Sequence, residues 1–208
     1  MNESIKICTA ILAAGASSRL GRPKQLVKIG KQSLLERAIN AAEGATSGQI
    51  VTILGAHRDE ILQQVQFGRS AVVFNSDWAQ GLSSSIRQAI AYVESRDEAI
   101  DAVLFMVADQ PHVCCEVLDQ LVQKFARAKA QVVCCQYGET LGVPALFART
   151  LFGELKQLSG DTGARKVILN HQSELQFVRF EAGICDIDTE EDLFSLCESD
   201  DGKAADKH

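Results

Sequence analysis

Residues 11–25 read ILAAGASSRLGRPKQ and contain the strongest structural signal in the sequence. An apolar run leads into a loop of small residues, and the loop ends at the cations Arg19 and Lys24. Gly15 and Gly21 are spaced neither as in a Walker A loop nor as in the G-x-G-x-x-G fingerprint of dinucleotide-binding proteins. The stretch therefore predicts a buried first strand followed by a ligand-binding turn of another kind.

The residue types of this turn suit a polyphosphate. Residues 13–15 carry almost no side chain, so that a ligand can approach the backbone, and the glycine among them can take a positive φ angle. Ser17 and Ser18 offer hydroxyl donors, while Arg19 offers a planar fork for phosphate and Lys24 a compact ammonium group. A tight strand-to-helix turn with solvated cations would have the same composition, so both interpretations stay open.

Length and composition are those of one globular domain. The chain has 208 residues, of which 46% are hydrophobic and 23% are charged, and this balance provides enough apolar material for a sizeable core. We predict a single domain over residues 1–197. The polar segment 198–208 is predicted to be a disordered tail.

Charge and cysteine usage exclude several classes of protein. The net charge is −6 and the pI is about 5.3, which argues against a nucleic-acid partner. No apolar stretch approaches the roughly 20 residues that span a bilayer, so the sequence predicts no membrane association and a soluble cytoplasmic protein. The seven cysteines include no C-x-x-C pair, which favours small buried side chains over a disulfide framework or a zinc ribbon.

Short apolar runs alternate with helical patterns along the chain. Runs of four or five residues typical of strands buried on both faces occur at 51–54, 71–74, 103–107 and 132–135. Stripes of 3.6-residue period that begin at Leu34, Ile86 and Leu118 predict amphipathic helices. The alternation predicts an α/β fold with a mostly parallel central sheet and helices on both faces, where ligands bind at the carboxyl ends of the strands.

The last third of the chain is less regular. Residues 147–158 are predicted to be helical, and residues 160–169 to be a loop that enters a helix. Residues 175–180 are predicted to form a strand. A further strand that ends near Asp188, followed by a final helix, completes the prediction.

Acidic residues after two predicted strands are candidate ligands of a divalent cation. Asp109 lies in VADQP, and Asp188 lies in CDIDTEEDL with Asp186 on the same strand face. Mg²⁺ prefers one or two carboxylates together with substrate phosphates. Asp109 can equally start a turn, and Asp188 or Thr189 can cap the last helix with Asp192 in a capping box.

Two further polar loops precede predicted helices. In NSDWAQGLSSS, Gly81 and the serines come before an amphipathic helix, where one serine can serve as the N-cap. Trp78 in the same loop is interpreted as a packing residue. In LSGDTGAR, Asp161 is either an N-cap or part of a loop that directs backbone N–H groups at an anion.

These motifs resemble a known family. The first loop is similar to the L-A-[AG]-G-x-x-x-R-[ML]-G-x-x-K signature of nucleotidyltransferases, and NSDWAQGLSSSI, VADQP, GVPALF, LSGDTGAR and DIDTEEDL narrow the resemblance to the MobA-like nucleotidyltransferase family. Within it, the chain most resembles molybdenum cofactor cytidylyltransferases. The resemblance runs from about residue 7 to residue 196. It implies a Rossmann-like nucleotidyltransferase fold and the transfer of CMP from CTP to the terminal phosphate of molybdenum-bearing molybdopterin, with release of pyrophosphate.

The resemblance also implies a role for each matching residue. Arg19, Lys24 and Asp109 would act in catalysis, and Asp109 and Asp188 would hold Mg²⁺. Gly160 and Asp161 would lie on the acceptor side. The residues implied in nucleotide binding are Leu12, Ala13, Ala14, Gly15, Ser17, Ser18, Gly81 and Ser85.

Two positions bear on the substrates. Related guanylyltransferases usually read L-A-G-G where this chain has L-A-A-G, and the methyl group of Ala14 would narrow the base pocket in favour of a pyrimidine. CTP is therefore predicted over GTP. Relatives often carry a histidine inside GVPALF where this chain has Val143, on a loop that is expected to face the acceptor.

Rival functions remain open at this point. One is a CTP-dependent cytidylyltransferase that acts on another phosphorylated acceptor, such as a sugar or polyol phosphate. Another is a non-catalytic protein that carries molybdopterin to a client molybdoenzyme, and a third is a plain α/β binding module. The presence of Arg19, Lys24 and Asp109 together favours a catalyst.

Overall fold

The computed structural model describes residues 5–45, 48–96, 98–187, 189 and 191–193. Its strands are β1 (Ile7–Ala13), β2 (Lys28–Ile29), β3 (Gln32–Ser33), β4 (Gln49–Leu54), β5 (Ala71–Phe74), β6 (Ala102–Val107), β7 (Val132–Tyr137), β8 (Thr140–Ala148) and β9 (Gln176–Arg179). Its α-helices are α1 (Leu34–Ala45), α2 (Arg58–Gln64), α3 (Leu82–Glu94), α4 (Cys115–Ala128), α5 (Phe152–Lys156) and α6 (Arg165–Asn170).

A seven-stranded sheet in the order β5-β4-β1-β6-β8-β7-β9 forms the centre of the domain. All neighbouring strands pair in parallel except β8, which is antiparallel to both β6 and β7. The predicted mostly parallel α/β sheet is confirmed. Strand β1 lies between β4 and β6. The loop that follows its carboxyl end therefore lies near the middle of the edge at which parallel sheets bind ligands.

Hydrophobic side chains pack on both faces of this sheet. Ile11 of β1 lies in one core cluster with Leu35 of α1 and Leu118 of α4. The neighbouring Leu12 lies in a second cluster with Ile86 of α3. Successive side chains of a strand point to opposite faces, so the two clusters confirm helices on both sides of the sheet.

Strand β8 was not predicted, and the predicted helix over 147–158 is wrong at its start. Residues 147–148 belong to β8, and the helical part is limited to a 3₁₀ turn and the short α5. Gly142 and Pro144 concealed the strand because both are depleted from strands. The β7–β8 register shifts there, between the pairs Cys134–Ala145 and Cys135–Gly142, so Pro144 lies at an irregularity where the missing N–H is tolerated.

The GVPALF segment is consequently a strand and not a loop. Val143 is half-buried and packs against the core cluster that contains Phe147. The expectation that this residue lies on a loop is therefore wrong, and the expectation that it faces the acceptor stays a prediction.

The C-terminal part confirms some predictions and corrects others. The strand within 175–180 is present as β9, but residues 181–184 form a 3₁₀ turn and residues 185–187 form no strand. Thr189 and Asp192 form the predicted capping box: the Thr189 backbone N–H donates to the Asp192 carboxylate at 2.8 Å, and the Asp192 N–H donates to the Thr189 hydroxyl at 3.3 Å. Asp188 and the tail 198–208 lie outside the described residues.

Three of the cysteines behave as buried apolar residues. Burial raises the pKa of each of the thiols of Cys8, Cys134 and Cys135 to about 12. Cys114 is exposed and Cys115 is partly exposed, so the prediction of buried cysteines is wrong for this adjacent pair. Within the described part of the chain, no helix is both long and apolar enough to cross a membrane.

Candidate active site

A cavity of about 600 Å³ opens at the carboxyl ends of β1 and β6. Its wall is formed by the loop after β1, the turn that leads from β5 into α3, and the end of β6. The predicted site residues line it, except for Gly160, which contacts Gly81 of the wall, and Asp188, which lies outside the described residues. The predicted residues in the wall are Leu12, Ala13, Ala14, Gly15, Ser17, Ser18, Arg19, Lys24, Gly81, Ser85, Asp109 and Asp161.

The loop after β1 turns at a serine. Ser17 has a φ angle of +55°, and Gly21 has one of +69°. The Ser17 carbonyl accepts hydrogen bonds from the N–H groups of Leu20 and Gly21 at 3.1 and 3.2 Å, and its hydroxyl accepts one from the Lys24 N–H at 3.0 Å. The prediction that Gly15 takes the positive φ angle is wrong, because these bonds hold Ser17 in the left-handed conformation instead.

The side chain of Gln25 holds this loop in place by hydrogen bonds, and this role was not predicted. Its side chain is only 2% exposed. The amide nitrogen Nε2 donates to the carbonyl of Ala13 at 2.8 Å and to that of Gly15 at 3.0 Å, and Oε1 accepts from the Ser17 hydroxyl at 3.5 Å. Its position directly after Lys24 in the motif of residues 11–25 could have drawn attention to it. Nothing in the residue pattern indicates, however, that a glutamine at this position is buried.

Lys24 and Asp109 meet in the cavity as an ion pair. The Lys24 Nζ donates to Oδ2 of Asp109, and both side chains are largely buried. The other carboxylate oxygen, Oδ1, is buried and has no hydrogen-bond partner among the described residues. An unsatisfied buried polar atom costs about 1–3 kcal/mol, so this oxygen has a lone pair available for a ligand.

That oxygen fits a divalent cation. Mg²⁺ and similar hard cations take carboxylate oxygens and complete their coordination with water and substrate phosphates. No group of three or more His, Cys, Asp or Glu side chains in the described part of the chain is arranged to hold a metal by itself. A cation at Asp109 would therefore need further ligands from a bound nucleotide and water.

Asn75, which was not predicted either, organises the turn before α3. Its Nδ2 donates to the hydroxyls of Ser84 and Ser85 at 2.8 and 3.0 Å, and its Oδ1 accepts from the Asp77 N–H at 3.0 Å. The predicted serine N-cap is wrong: Gly81 occupies the N-cap position without a side-chain cap. The three serines lie inside the first turn and are buried, where Asn75 bonds Ser84 and Ser85 and Arg87 donates to the Ser83 hydroxyl at 3.1 Å.

Gly81 lies in close contact with the Gly160–Asp161 loop. It has a φ angle of +95°, and a Cβ atom there would lie 2.5 Å from Asp161 Oδ1 and 2.5 Å from the Gly160 carbonyl carbon. The Ser83 N–H also donates to the Gly160 carbonyl at 3.2 Å. The alternative of Asp161 as an N-cap is wrong, because α6 begins only at Arg165.

Trp78 is more than a packing residue. The first atoms of its side chain lie against Gly55, but the residue is 37% exposed and lines the cavity. We call Trp78, Gly81 and Ser85 the β5 end of the cavity, and Lys24 and Asp109 the β6 end. The loop after β1 lies between the two ends because β1 lies between them in the sheet.

A family model described as the MobA-like NTP transferase domain matches residues 9–175 of this chain. This range includes the cavity wall from Leu12 to Asp161. It ends before the C-terminal segment that contains the predicted second acidic ligand, Asp188.

Solved structures with the same fold include two mycobacterial proteins and a molybdopterin-guanine dinucleotide biosynthesis protein. A homolog of Mycobacterium tuberculosis Rv0371c from Mycobacterium sp. strain JC1 is 28% identical, with a TM-score of 0.80 over 93% of this chain and 96% of that chain. Rv0371c of M. tuberculosis H37Rv in complex with manganese is 27% identical, with a TM-score of 0.77 over 93% and 99% of the two chains. Molybdopterin-guanine dinucleotide biosynthesis protein A from Archaeoglobus fulgidus is 17% identical with a TM-score of 0.67 over 94% and 99%, which bears on the fold alone. The predicted Rossmann-like nucleotidyltransferase fold is confirmed.

Curated relatives match over shorter regions. Nicotine blue oxidoreductase of Paenarthrobacter nicotinovorans is 28% identical over 113 residues, which are 54% of this chain and 53% of that protein. The bifunctional protein GlmU of Francisella tularensis is 27% identical over 118 residues, which are 56% of this chain and 25% of that protein. The match thus spans about half of the first relative and a quarter of the second.

Proposed function

The chain belongs to the MobA-like NTP transferase domain family, and we propose that it transfers CMP from CTP to the terminal phosphate of a molybdopterin-type acceptor. The observation that carries the proposal is the Lys24–Asp109 pair beside a loop of small residues in one cavity. A triphosphate in such a cavity would find cationic groups and a backbone that it can approach closely. It would also find a carboxylate that can hold a divalent cation. The resemblance of LSGDTGAR to the cytidylyltransferases supports the choice of acceptor.

The proposed reaction is an in-line displacement at phosphorus. An oxygen of the acceptor phosphate forms a bond to the α-phosphorus of CTP, and the bond from that phosphorus to the oxygen bridging to the β-phosphate breaks. The bonding electron pair leaves with pyrophosphate, and the acceptor becomes a cytosine dinucleotide. An acceptor phosphate is already anionic near pH 7, so no general base is required to remove a proton.

The residues of this chain would act mainly by position and charge. Arg19 and Lys24 would bind the triphosphate and offset the negative charge that grows on the leaving pyrophosphate. When the triphosphate binds, its oxygens would replace Asp109 as the partner of the Lys24 ammonium group. Both carboxylate oxygens of Asp109 would then be available to a cation. Mg²⁺, held by Asp109 and, as the sequence predicts, Asp188, would supply further charge neutralisation on the phosphates. The manganese complex of the Rv0371c relative supports a divalent cation in this family.

Base selection would depend on the wall next to β1. Ala14 lines the cavity and is held there, because its carbonyl accepts a hydrogen bond from the Ala56 N–H at 3.0 Å. Its methyl group reduces the space that a purine would need, which supports CTP over GTP. The principal alternative is another phosphorylated acceptor, since the β6 end would serve it equally well.

The test is pyrophosphate release by the purified protein with Mg²⁺ and molybdenum-bearing molybdopterin. We expect release with CTP, and at least about tenfold lower kcat/KM with the purine nucleotides GTP and ATP, the discrimination that roughly one methyl group provides in a pocket. UTP, whose base is as small as that of CTP, is compared in the same assay. Equal turnover of CTP and GTP would contradict the base choice. Release with a sugar phosphate but not with molybdopterin would contradict the acceptor, and no release with any pair would contradict nucleotidyl transfer.

A further inference from the structure

An aromatic ring is exposed inside the cavity wall. Trp78 is the single tryptophan of the chain, and 37% of its surface is accessible although it lines the cavity and not the outer surface of a helix. It also borders a second hollow at residues 55–60. An apolar ring left open in this way provides a flat surface for a ligand.

The position of the ring is fixed from two sides. A Cβ atom at Gly55 would lie 2.5 Å from the Trp78 Cβ and 2.8 Å from its Cγ, so only glycine allows the side chain to approach this closely. On the other side, a 3₁₀ turn begins at Trp78, whose carbonyl accepts from the Gly81 N–H at 3.1 Å. Asn75 anchors the start of the same turn through the Asp77 N–H. These contacts fix the start of the side chain and the turn that carries it, which lowers the entropy lost when the ring binds a ligand.

The strand order gives the approximate separation between Gly55, on which the Trp78 side chain packs, and the ion pair. Gly55 follows β4 directly, and Asp109 lies just beyond the end of β6; both strands pair with β1. Two strand spacings separate β4 from β6, about 10 Å in total. This is the scale of a nucleoside between its base and its phosphates, so a nucleotide whose phosphates lie at the β6 end would have its base beside Trp78.

We infer that Trp78 is a nucleotide-binding residue, against whose indole the base of the bound nucleotide stacks at the β5 end of the cavity. The inference rests on the proposed function, because it requires a nucleotide in this cavity. Stacking supplies affinity for any base, and the wall at Ala14 then limits how large the base can be. Affinity and selection are thereby assigned to different side chains.

The unmodified protein provides the first test, because its fluorescence comes from one tryptophan. CTP with Mg²⁺ should change the indole emission in a saturable way, whereas tripolyphosphate with Mg²⁺, which occupies the β6 end only, should leave it nearly unchanged. Calorimetry under the same conditions measures binding without reference to the ring. CTP binding by calorimetry with no change in emission would overturn the inference and leave the proposed function standing. No CTP binding by either method would overturn both.

Variants provide the second test. Trp78→Ala should raise the KM and Kd for CTP about tenfold or more, with little change in kcat, because stacking stabilises the bound substrate and the transition state alike. Trp78→Phe should recover most of the affinity. Phe177→Ala, which removes a ring of similar exposure from the far edge strand β9, is the matched control and should leave both constants unchanged.

Tripolyphosphate binding separates stacking from packing. Trp78→Ala should leave the affinity for tripolyphosphate within about twofold, because this ligand occupies the β6 end only. Circular dichroism and thermal melting establish that each variant is folded. If Trp78→Ala weakens tripolyphosphate as much as CTP, the ring only supports the loop after β1, and the inference is overturned.

Discussion

The two ends of the cavity are held in different ways. At the β5 end, hydrogen bonds satisfy the buried polar groups: Asn75 bonds both Ser84 and Ser85, and Ser84 donates to the Gly81 carbonyl at 2.8 Å. At the β6 end, one ion pair is present and Oδ1 of Asp109 has no partner among the described residues. Buried polar groups are normally paired, so the difference indicates that the β5 end is complete without a ligand, whereas the β6 end is completed by one.

The largest effect is therefore expected at the β6 end. Asp109→Asn keeps the shape of the side chain but removes its charge, so that the proposed divalent cation would lose a ligand and Lys24 loses its ionic partner. We expect kcat for pyrophosphate release to fall about a thousandfold, the size of effect seen when one electrostatic group of a catalytic site is removed. Nucleotide affinity should change much less, since the β5 end is intact.

The control for this variant lies at the opposite end of the same strand. Asp101, which precedes β6, accepts a hydrogen bond from the Lys6 N–H at 2.9 Å and is exposed. Asp101→Asn should leave kcat unchanged. A protein that only carries molybdopterin would tolerate Asp109→Asn and still deliver the cofactor, so unchanged delivery would refute the catalytic assignment.

Gly81→Ala should damage the β5 end through the backbone. The positive φ angle of Gly81 and the 2.5 Å distance from a new Cβ to the Gly160 carbonyl carbon leave no relaxed position for a methyl group. We expect a loss of about 2 kcal/mol in unfolding free energy and a fall of roughly thirtyfold in kcat/KM. Denaturant unfolding and steady-state kinetics measure the two quantities.

Gly153→Ala is the matched control for the added methyl group. Gly153 lies in α5, and a Cβ there would have no neighbour within 4 Å. This variant should gain up to about 1 kcal/mol, because alanine favours the helix over glycine. If Gly81→Ala were as stable as the parent protein, the stability of the domain would not depend on the close packing of the Gly160–Asp161 loop against α3.

The same contrast explains what the sequence could and could not predict. Lys24 and Asp109 were identifiable because charged residues at the ends of strand signals imply chemistry, and the sheet then brings them together. Gln25 and Asn75 were not identifiable, because their function depends on burial by distant parts of the chain, and a glutamine or asparagine in a loop has no pattern that reports burial. Strand β8 was missed because Gly142 and Pro144 interrupt its β-signal at the register shift.

Gln25→Met tests whether one of these unpredicted residues positions the loop between the two ends. Methionine fills a similar volume but cannot donate to the carbonyls of Ala13 and Gly15, each of which would lose a bond of about 1 kcal/mol. We expect a lower melting temperature and a fall of about tenfold in kcat/KM as the loop loosens. Thr52→Val removes a buried hydrogen bond to Ser70 of 2.8 Å within the β4 region, and should lower the melting temperature without lowering kcat/KM. Equal kinetic losses in both variants would assign the effect to general destabilisation.

The smallest effect is expected from Ala14→Gly, which sharpens the comparison at the wall that the two ends share. Ala14 lines the cavity but is only 5% exposed, so removal of its methyl group should lower the proposed preference for CTP over GTP about fivefold, below the full value of a methyl group. Ala13→Gly is the control, since it loosens the backbone equally while its methyl group packs in the core on the other face of the sheet. The ratio of kcat/KM for the two nucleotides should shift in Ala14→Gly and not in Ala13→Gly. Equal shifts in both would mean that the stiffness of the loop, and not the Ala14 methyl group, selects the base.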